Sequence, residues 1–489
     1  MRAIIITHGH EDHIGAVPYA LKKFNVPIYG SRLALALINH KLEEHGIAAS
    51  ADLRTVKPGD TVKLGCISVE FIHVNHSIAG AMALAITTPA GVVIHTGDFK
   101  IDYTPVDGAP TNLARLAEYG KSGVLCLMSD STNAELPGYT LSESKVGDAF
   151  EHYFASATGR VIVATFASNI HRIQQICDCA IRHDRKVCFQ GRSMLNISAL
   201  AAELGYLDVP EKDVVDIDKL KKYRDDQICV ITTGSQGEPM SGLSRMAGSA
   251  HKLVIGKGDL IIVSASAIPG NEKSVSNVIN QLCEKGATVI YKDMADIHVS
   301  GHARQEEQKL IIALIKPRYF IPVHGEYRHL MNHINLAVDM GIPAENCMVA
   351  GIGEVVEFTK NSIQKTSNVA SGSVMIDGSG VGDIGNIVLR DRKLLSEDGL
   401  VIVVVALSKK NGKLLSGPDV ITRGFVYVRE SEDLIDEARE VARKVMEEFE
   451  SRPRSDWAAI KNSTRNALKD FFYKKTKRNP VILPIIQEV

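Results

Sequence analysis

The sequence predicts an α/β protein of several domains, and three observations lead to that fold class. The chain has 489 residues, which is too many for one hydrophobic core. Short apolar strands alternate with helices through residues 145–305, as in a parallel sheet with helices on both faces. The sequence pattern changes after residue 386, where a hairpin signal and an amphipathic helix indicate a small α+β domain.

Composition excludes several classes of protein. Hydrophobic residues make up 45% of the chain and charged residues 23%, values that are typical of a globular protein. The formal net charge is −1, so a nucleic-acid partner would need a local basic patch. No apolar run reaches the roughly 18 residues of a membrane span. The 8 cysteines include no CxxC pair, which favours reduced thiols and a cytoplasmic location.

The first predicted domain consists of strands that end in polar residues. It is placed at residues 1–144 and is expected to resume at residues 306–370. Its predicted elements are strand Ala3–Ile6, helix Val17–Phe24, and strands Val69–Val74, Gly91–His95, Val124–Ser129 and Phe320–Val323. Each of these short apolar runs is bounded by turn-forming or polar residues, as strands of a half-buried sheet are.

Residues 145–305 form the second predicted domain, with a regular βαβα rhythm. The predicted order is strand Val161–Phe166, helix Ile170–His183, strand Lys186–Gln190, helix Met194–Leu204, strand Ile228–Thr233, strand Leu260–Ser264, helix Ser274–Lys285 and strand Ala287–Tyr291. Ligands of such sheets bind beyond the carboxyl ends of the strands. We therefore expect functional residues at that edge.

The C-terminal part begins with a Gly/Ser-rich segment, which predicts a linker over residues 371–386 before an α+β domain at residues 387–489. Its predicted elements are strands Ile387–Arg392 and Leu400–Ser408, a hairpin turn at Asn411-Gly412, and a helix over Asp433–Phe449. The turn rests on the Asn-Gly dipeptide. The helix rests on apolar residues that recur at a spacing of three to four.

Three imidazoles and two carboxylates follow the first strand directly. His8 and His10 are two residues apart, so they share a face in an extended conformation, and Asp12 and His13 follow in the turn. Zinc takes imidazole and carboxylate ligands and is satisfied by about four. One ion could take His8 and His10, and a second Asp12 and His13. Glu11 is left out and is expected to point to solvent or to lie behind the ligands.

Three distal strand ends carry the same residue types. His76 follows one strand, Asp98 lies in His-Thr-Gly-Asp, and His324 lies in Pro-Val-His-Gly-Glu. Any one of these histidines alone is better explained as a strand cap, but the whole set predicts two divalent ions, with Asp98 as a bridge because a carboxylate has two oxygens. Zinc is favoured, and Mn²⁺ or Mg²⁺ remains open. Two ions lower the pKa of a bound water and suit hydrolysis at phosphorus or carbonyl.

Two further stretches bear on the substrate, and the first of them suits a phosphate. Ser168 and Asn169 stand at a strand-to-helix turn, where hydroxyl and N–H groups can hold an anion, although simple capping of the helix explains them equally well. His298 and His302 flank a small Ser-Gly pair, and the alternative for them is the start of a helix.

The ligand pattern resembles the metallo-β-lactamase superfamily, whose hallmark is His-x-His-x-Asp-His followed by distal His, Asp and His. Residues 129–133, 298–302 and 322–326 are similar to the three motifs of the β-CASP nucleases. Residues 233–240 and the C-terminal region resemble the ribonuclease J family within that group. The resemblance covers the whole chain. It implies a metallo-β-lactamase αββα sandwich, here expected to be N-terminally truncated, with an inserted parallel-sheet β-CASP domain.

The resemblance also implies a function. Family members are metal-dependent ribonucleases that hydrolyse RNA from the 5′ end, with some internal cleavage, in RNA processing and mRNA decay. The metal ligands it implies are His8, His10, Asp12, His13, His76, Asp98 and His324, and the residues implied to hold RNA phosphates are Ser168, Asn169, His298, Ser300, Gly301 and His302. His302 would protonate the leaving oxygen and Asp12 would orient the attacking hydroxide. The implied partners are single-stranded RNA with a 5′-monophosphate and further copies of the chain, as a homodimer or homotetramer built through the C-terminal domain.

Two other functions compete with this interpretation. The first is a small-molecule metallo-hydrolase of the lactonase or β-lactamase type, against which the size of the insertion at residues 145–305 counts. The second is an inactive, truncated subunit. The intact ligand set argues against deliberate inactivation, whereas the absence of strands before the metal motif supports a fragment.

Overall fold

The α/β class is confirmed by the computed structural model, which layers helices on both parallel and antiparallel sheets. The structure describes residues 1–268, 270–292, 294–378, 380–382, 385–409, 413–426, 432–450 and 457–489. Residues 1–369 and 370–489 form two compact units. Within the described ranges, no helix is both long and apolar enough to cross a membrane.

The first unit contains most of the secondary structure. Its opening elements are β1 (Ile4–Ile5), α1 (Glu11–Ile14), α2 (Val17–Lys23), β2 (Ile28–Gly30), α3 (Arg32–Glu44), β3 (Leu53–Thr55), β4 (Thr61–Leu64), β5 (Ile67–His73), β6 (Met82–Thr88), β7 (Gly91–His95), α4 (Leu113–Ser122) and β8 (Cys126–Asp130). The elements that follow are α5 (Ser144–Ser156), β9 (Val161–Ala164), α6 (Ile170–Arg182), β10 (Lys186–Gln190), α7 (Arg192–Glu203), β11 (Ile228–Thr232), α8 (Gly242–Ala247), β12 (Leu260–Val263), α9 (Glu272–Glu284) and β13 (Thr288–Tyr291). The unit closes with α10 (Gln305–Ile315), β14 (Tyr319–Val323), α11 (Tyr327–Asp339), β15 (Glu354–Phe358) and β16 (Ile363–Asn368).

Two sheets pack face to face in this unit. One is the parallel sheet β1-β2-β3, and the other has the order β14-β8-β7-β6-β5-β4, in which β14, β8 and β7 run parallel. Tyr29 from the first sheet shares a core with Phe71 and Leu84 from the second. Helices α2 and α3 cover the outer face of the first sheet through residues such as Leu21 and Ile38. Helices α4, α10 and α11 cover the second, which completes an αββα sandwich.

A five-stranded parallel sheet, β10-β11-β9-β12-β13, forms the second layered part of this unit. Val161 and Val163 of β9 face one core with α6, while Ile162 faces another with α9, as the two-residue period of a strand requires. The chain leaves β9 towards β10 and leaves β12 towards β13, so the connections diverge between these two adjacent strands. Ligands bind at such a switch point in open α/β sheets.

The second unit contains β17 (Ile376–Asp377), β18 (Gly380–Val381), α12 (Asn386–Asp398), β19 (Leu400–Leu407), β20 (Leu414–Arg423), α13 (Glu432–Glu450), α14 (Trp457–Thr476) and β21 (Val481–Glu488). Its sheet has the order β20-β19-β21, with β19 and β21 parallel. The predicted helix over Asp433–Phe449 is confirmed as α13. The predicted turn at Asn411-Gly412 lies outside the described residues, although the flanking strands pair antiparallel.

The strand predicted at Ile387–Arg392 is wrong, because these residues belong to helix α12. Ile387 is 66% and Val388 39% exposed, so neither side chain is buried as in a core strand. A helix satisfies its own backbone hydrogen bonds without a neighbouring strand. A short apolar run is ambiguous between strand and helix when periodicity is the only guide.

The core of the second unit provides a test of its packing. Phe472 is fully buried, with ring centroids 5.0 Å from Phe425 and 5.2 Å from Phe471. Phe472→Ala is expected to lower the free energy of unfolding of this unit by about 3–5 kcal/mol. Tyr473→Ala, at a neighbouring residue that is 49% exposed, is the matched control. The single tryptophan, Trp457, lies in α14 and reports unfolding by fluorescence, and equal destabilisation by both variants would contradict this packing.

Candidate metal centre

The seven predicted ligands lie together at one end of the sandwich. His8 to His13 follow β1 in the first sheet, and the other three follow strands of the second sheet. His76 comes after β5, Asp98 after β7 and His324 after β14. Because the first sheet packs on the second, the ends of these strands meet in one place.

Asp98 is the centre of the cluster and is only 3% exposed. Its Oδ2 lies 3.2 Å from Nε2 of His13, 3.5 Å from Nε2 of His324 and 3.6 Å from Nε2 of His8. Nε2 of His76 is 3.9 Å away. One carboxylate oxygen therefore faces four imidazole nitrogens within 3.9 Å.

The ligand atoms form two groups around Asp98. In the first group, the ligand nitrogens of His8, His10 and His76 all lie within 4.8 Å of one another. The second group contains Asp12, His13, Asp98 and His324 within the same limit. Asp12 is the most exposed of these residues, with its side chain 63% exposed, and its Oδ2 lies 3.3 Å from Nε2 of His324.

The residues fit divalent ions. Nε2 of His8 and Nε2 of His13 are buried near Asp98, but within the described part of the chain neither makes a hydrogen bond. Such an arrangement costs free energy unless something else binds them. Burial lowers the pKa of His8 to about 3 and that of His10 to about 4, so both rings are neutral at physiological pH and keep a lone pair for a metal. An imidazole and carboxylate set without thiolates is suited to Zn²⁺ or Mn²⁺.

The electrostatics around His324 also favour a cation. Burial opposes a charge on this ring, but the carboxylates of Asp12, Asp130 and Asp98 outweigh it and raise the pKa of His324 to about 10. His324 has a φ of +58°, which is uncommon for a residue with a side chain and is a form of strain found at functional sites. The backbone is thus held in a costly conformation that directs this ring at the carboxylates.

Glu11, the residue that the sequence analysis left out of the ligand set, lies outside the cluster. Its carboxylate is exposed and pairs with Lys41 of α3 at 2.6 Å. It therefore provides a natural control for substitutions within the same motif.

Asp130 adjoins the cluster, and the sequence analysis gave it no individual role. It is 1% exposed, and its Oδ2 lies 2.8 Å from Nδ1 of His302. Its Oδ1 accepts from the hydroxyl of Thr132 at 2.8 Å, and that hydroxyl lies 2.7 Å from Nδ1 of His324. Burial opposes the charge on Asp130, but His302 and His324 hold the pKa of its carboxyl well below the usual range. The signals available in the sequence were its place in the motif at residues 129–133 and its position directly after the predicted strand Val124–Ser129.

His302 lies at the side of the metal centre. Its ring centroid is 5.0 Å from that of His76 and 5.4 Å from that of His324. Burial lowers the pKa of this imidazole, but the Asp130 carboxylate outweighs burial and raises it above the usual value. The carbonyl of His302 accepts from Asn133 and Thr140, so it does not begin a helix, and α10 starts only at Gln305.

The segment 298–302 presents donors next to this centre. Oγ of Ser300 accepts from Nδ2 of Asn133 at 3.0 Å and from the N–H of His302 at 3.2 Å, which leaves its own hydrogen free to donate. The carbonyl of Gly301 accepts from Nδ1 of His76 at 2.8 Å. This bond places the ring proton of His76 on Nδ1, so Nε2, which lies 3.0 Å from Nδ1 of His10, keeps a lone pair.

Ser168 and Asn169 lie at the switch point of the parallel sheet, in the turn between β9 and α6. Asn169 is buried and its Oδ1 accepts from the N–H of Arg172 at 3.1 Å, so it does cap the helix. It also lines the same cavity as His76. Ser168 is half-buried, and no described residue accepts or donates a hydrogen bond at its hydroxyl.

Glycine is required at position 301 because the side chains of Ser77 and His76 lie close to its backbone. A Cβ at this position would lie 2.6 Å from Oγ of Ser77 and 2.8 Å from Nδ1 of His76. Gly301→Ala is expected to displace His76 and weaken metal affinity about 10–100-fold. Gly256→Ala, where an added Cβ meets nothing within 4 Å, is the matched control. Bound metal per chain, measured after dialysis against graded chelator, checks this result, and an unchanged metal content in the Gly301 variant would contradict it.

The sandwich, the parallel sheet and this ligand cluster define a hydrolase of the metallo-β-lactamase superfamily. Family models agree along the chain: the metallo-β-lactamase superfamily matches residues 1–136, the ribonuclease J β-CASP domain residues 158–282, the Zn-dependent metallo-hydrolase RNA specificity domain residues 286–347, and the ribonuclease J C-terminal domain residues 387–489. The chain belongs to the ribonuclease J family.

Individual relatives support this membership over 77–88% of their own length. Ribonuclease J2 of Bacillus subtilis (strain 168) is 44% identical over 100% of this chain and 88% of its own. Ribonuclease J 1 of Streptococcus pyogenes serotype M3 is 44% identical over 99% of this chain and 87% of its own. Ribonuclease J of Synechocystis sp. is 42% identical over 100% of this chain and 77% of its own.

A solved structure from Enterococcus faecalis V583, described as a protein of unknown function, shares the fold. Its TM-score is 0.52 at 18% identity, over 74% of this chain and 81% of that chain. Together with the family models, the relatives show that the protein is a metal-dependent ribonuclease, a hydrolytic nuclease with RNA as its substrate.

Proposed function

We propose that the chain degrades RNA as a 5′-to-3′ exonuclease that also cuts internally, and that it acts in the cytoplasm in rRNA processing and mRNA decay. The observation that carries this proposal is the position of the 298–302 segment, whose donors adjoin the metal centre through the contact between Gly301 and His76. The RNA backbone would then be held beside the metal centre by this segment, while the phosphodiester to be cleaved reaches the metal ligands.

Two divalent ions, zinc in the first instance, fit the ligand groups. His8, His10 and His76 would hold one ion, while Asp12, His13 and His324 would hold the other, and Asp98 would bridge them. When bound, such ions polarise the scissile phosphate and activate the attacking water. Asp12, the most exposed of these residues, would orient that water.

The remaining residues bind RNA and move a proton. His302, whose Nδ1 faces the Asp130 carboxylate, would donate a proton to the leaving oxygen. Ser300 would donate its free hydroxyl hydrogen to a phosphate oxygen. Ser168, Asn169, His298 and Gly301 complete the phosphate-binding set, with a 5′-monophosphate bound by the inserted sheet.

We also propose a domain division and an assembly. The metallo-β-lactamase domain would comprise residues 1–144 and 306–370, the β-CASP domain residues 145–305, and the C-terminal domain residues 387–489 after a linker. Apolar side chains are exposed on the C-terminal strands, including Ile421 at 45%, Leu483 at 47% and Ile485 at 37%. Exposed apolar surface of this kind favours association, which supports a homodimer or homotetramer formed through this domain. In analytical ultracentrifugation, we expect the parent chain to sediment as an oligomer and Leu483→Lys to sediment as a monomer.

The direction of cleavage can be tested with matched RNAs. One linear single-stranded RNA carries a 5′-monophosphate, a second carries a 5′-hydroxyl, and a third is circular, while a lactone is incubated in parallel. We expect mononucleotides from the first RNA, slower loss of the second and a slow nick in the third. Release from the 3′ end, or equal rates on both linear RNAs, would overturn the proposed direction, and turnover of the lactone without cleavage of RNA would overturn the nuclease activity itself.

A further inference from the structure

A fully buried arginine lies behind the proposed phosphate site. Arg172, in the first turn of α6, has 0% exposure, which is rare for a charged side chain unless it is paired. Its partner is Glu143, which binds the guanidinium through both oxygens at 2.8 and 2.9 Å. This pair joins the residue before α5 to the switch-point end of the parallel sheet.

The other donors of Arg172 are also used. Nη1 donates to the carbonyl of Ser264 at 3.0 Å and to Nδ1 of His298 at 2.7 Å. Nη2 donates to the carbonyl of Val299 at 3.2 Å. With the two bonds to Glu143, all five N–H groups of the guanidinium have an acceptor. The side chain therefore has one fixed orientation and contacts His298 from behind.

This contact determines the tautomer of His298. A guanidinium can only donate, so Nδ1 of His298 must accept, and the ring proton must be on Nε2. A second proton on the ring is disfavoured by burial and then by the charge of Arg172, which together lower the pKa of His298 to about 2. Among the described residues, nothing bonds to Nε2 of this half-buried ring, so its N–H is available to a ligand.

We infer that Arg172, held by Glu143, is a positioning residue that fixes His298 as a neutral Nε2–H donor to an RNA phosphate. The inference rests on the proposed role of His298 in phosphate binding. Arg172 also fixes the backbone at Val299, one residue before Ser300, so both proposed phosphate donors depend on the same buried cation. A positive charge behind the imidazole additionally polarises its N–H towards an anion.

The test combines a spectroscopic signature with substrate affinity. Arg172→Lys keeps the charge beside Glu143 but loses the five-donor fork, and the double variant Arg172→Met with Glu143→Gln removes both charges together. Holoenzyme labelled with ¹⁵N-histidine, with His298 assigned by its loss in His298→Ala, reports the tautomer directly. We expect a pure Nε2–H pattern in the parent enzyme and a mixture of tautomers in both Arg172 variants.

Affinity should change with the tautomer. KM for a short 5′-monophosphorylated RNA and the inhibition constant of inorganic phosphate are each expected to rise roughly tenfold in Arg172→Lys, with kcat little changed. Folding and metal content, checked by circular dichroism and metal analysis, should match those of the parent. On a His298→Ala background the same substitution should add much less than its full loss, because the part that acts through the ring is gone and only the part that acts through the Val299 carbonyl remains.

The outcomes separate the two layers of the proposal. An unchanged tautomer in both Arg172 variants, or losses that add on the His298→Ala background, would overturn the positioning role. A second outcome is that the tautomer shifts in the Arg172 variants while His298→Ala leaves KM and phosphate inhibition unchanged. Arg172 would then still position the ring, but the assignment of His298 to RNA phosphate would be overturned.

Discussion

Asp98→Asn is expected to reduce ribonuclease turnover by about a thousandfold, since metal ions contribute several kcal/mol of transition-state stabilisation. The buried carboxylate oxygen faces Nε2 atoms of His8, His13, His76 and His324 at 3.2–3.9 Å. An amide has nearly the same shape but lacks the charge and the second equivalent oxygen, so it cannot bridge two cations. Metal analysis should show at least one ion lost per chain.

Glu11→Gln is the matched control for this loss. It makes the same kind of carboxylate-to-amide change within the metal motif, at an exposed residue whose partner is Lys41. An exposed pair contributes at most about 1 kcal/mol, so this variant should keep its metal and nearly all of its activity. Full metal content in Asp98→Asn would contradict the bridging assignment, and a large loss in Glu11→Gln would show that the motif is sensitive to any change of charge.

The location of the metal centre could be anticipated because its ligand types are concentrated. Three imidazoles and two carboxylates within His8 to His13 have no simple packing explanation, and polar residues at strand ends meet where sheets meet. Asp130 could not be assigned in this way. Its role depends on Thr132 and His324, which are 192 residues apart in the chain, and on the pairing of β8 with β14 in one sheet.

The contacts of Arg172 behind the proposed phosphate site could not be predicted from the sequence either. Arg172 sits at a helical position that a charge pattern would place on the surface, and only the fold brings Glu143 and His298 to it. The strand predicted at Ile387–Arg392 was also wrong, because these residues belong to helix α12. In each case the missing information was a long-range contact, which residue type and spacing do not encode.

Asp130→Asn is expected to lower kcat about a hundredfold or more and to leave KM for RNA nearly unchanged, because general acid catalysis and its orienting carboxylate contribute on that scale. In the parent enzyme, the carboxylate accepts from Nδ1 of His302 at 2.8 Å and favours the protonated ring. The asparagine keeps the shape and loses the charge. Asp148→Asn, at a side chain that is 74% exposed, is the matched control and should leave kcat unchanged.

The pH profile separates loss of the acid from loss of the metal. Asp130 raises the pKa of His302, and an acid must be protonated to act, so kcat falls as pH rises through that pKa. Removing the carboxylate lowers the pKa, so the alkaline fall of kcat should move to lower pH in Asp130→Asn while metal content is retained. The contrary result is a variant that loses metal while its kcat still falls at the same alkaline pH as that of the parent. Asp130 would then act through His324, to which Thr132 connects it. The proton would come from a group other than His302.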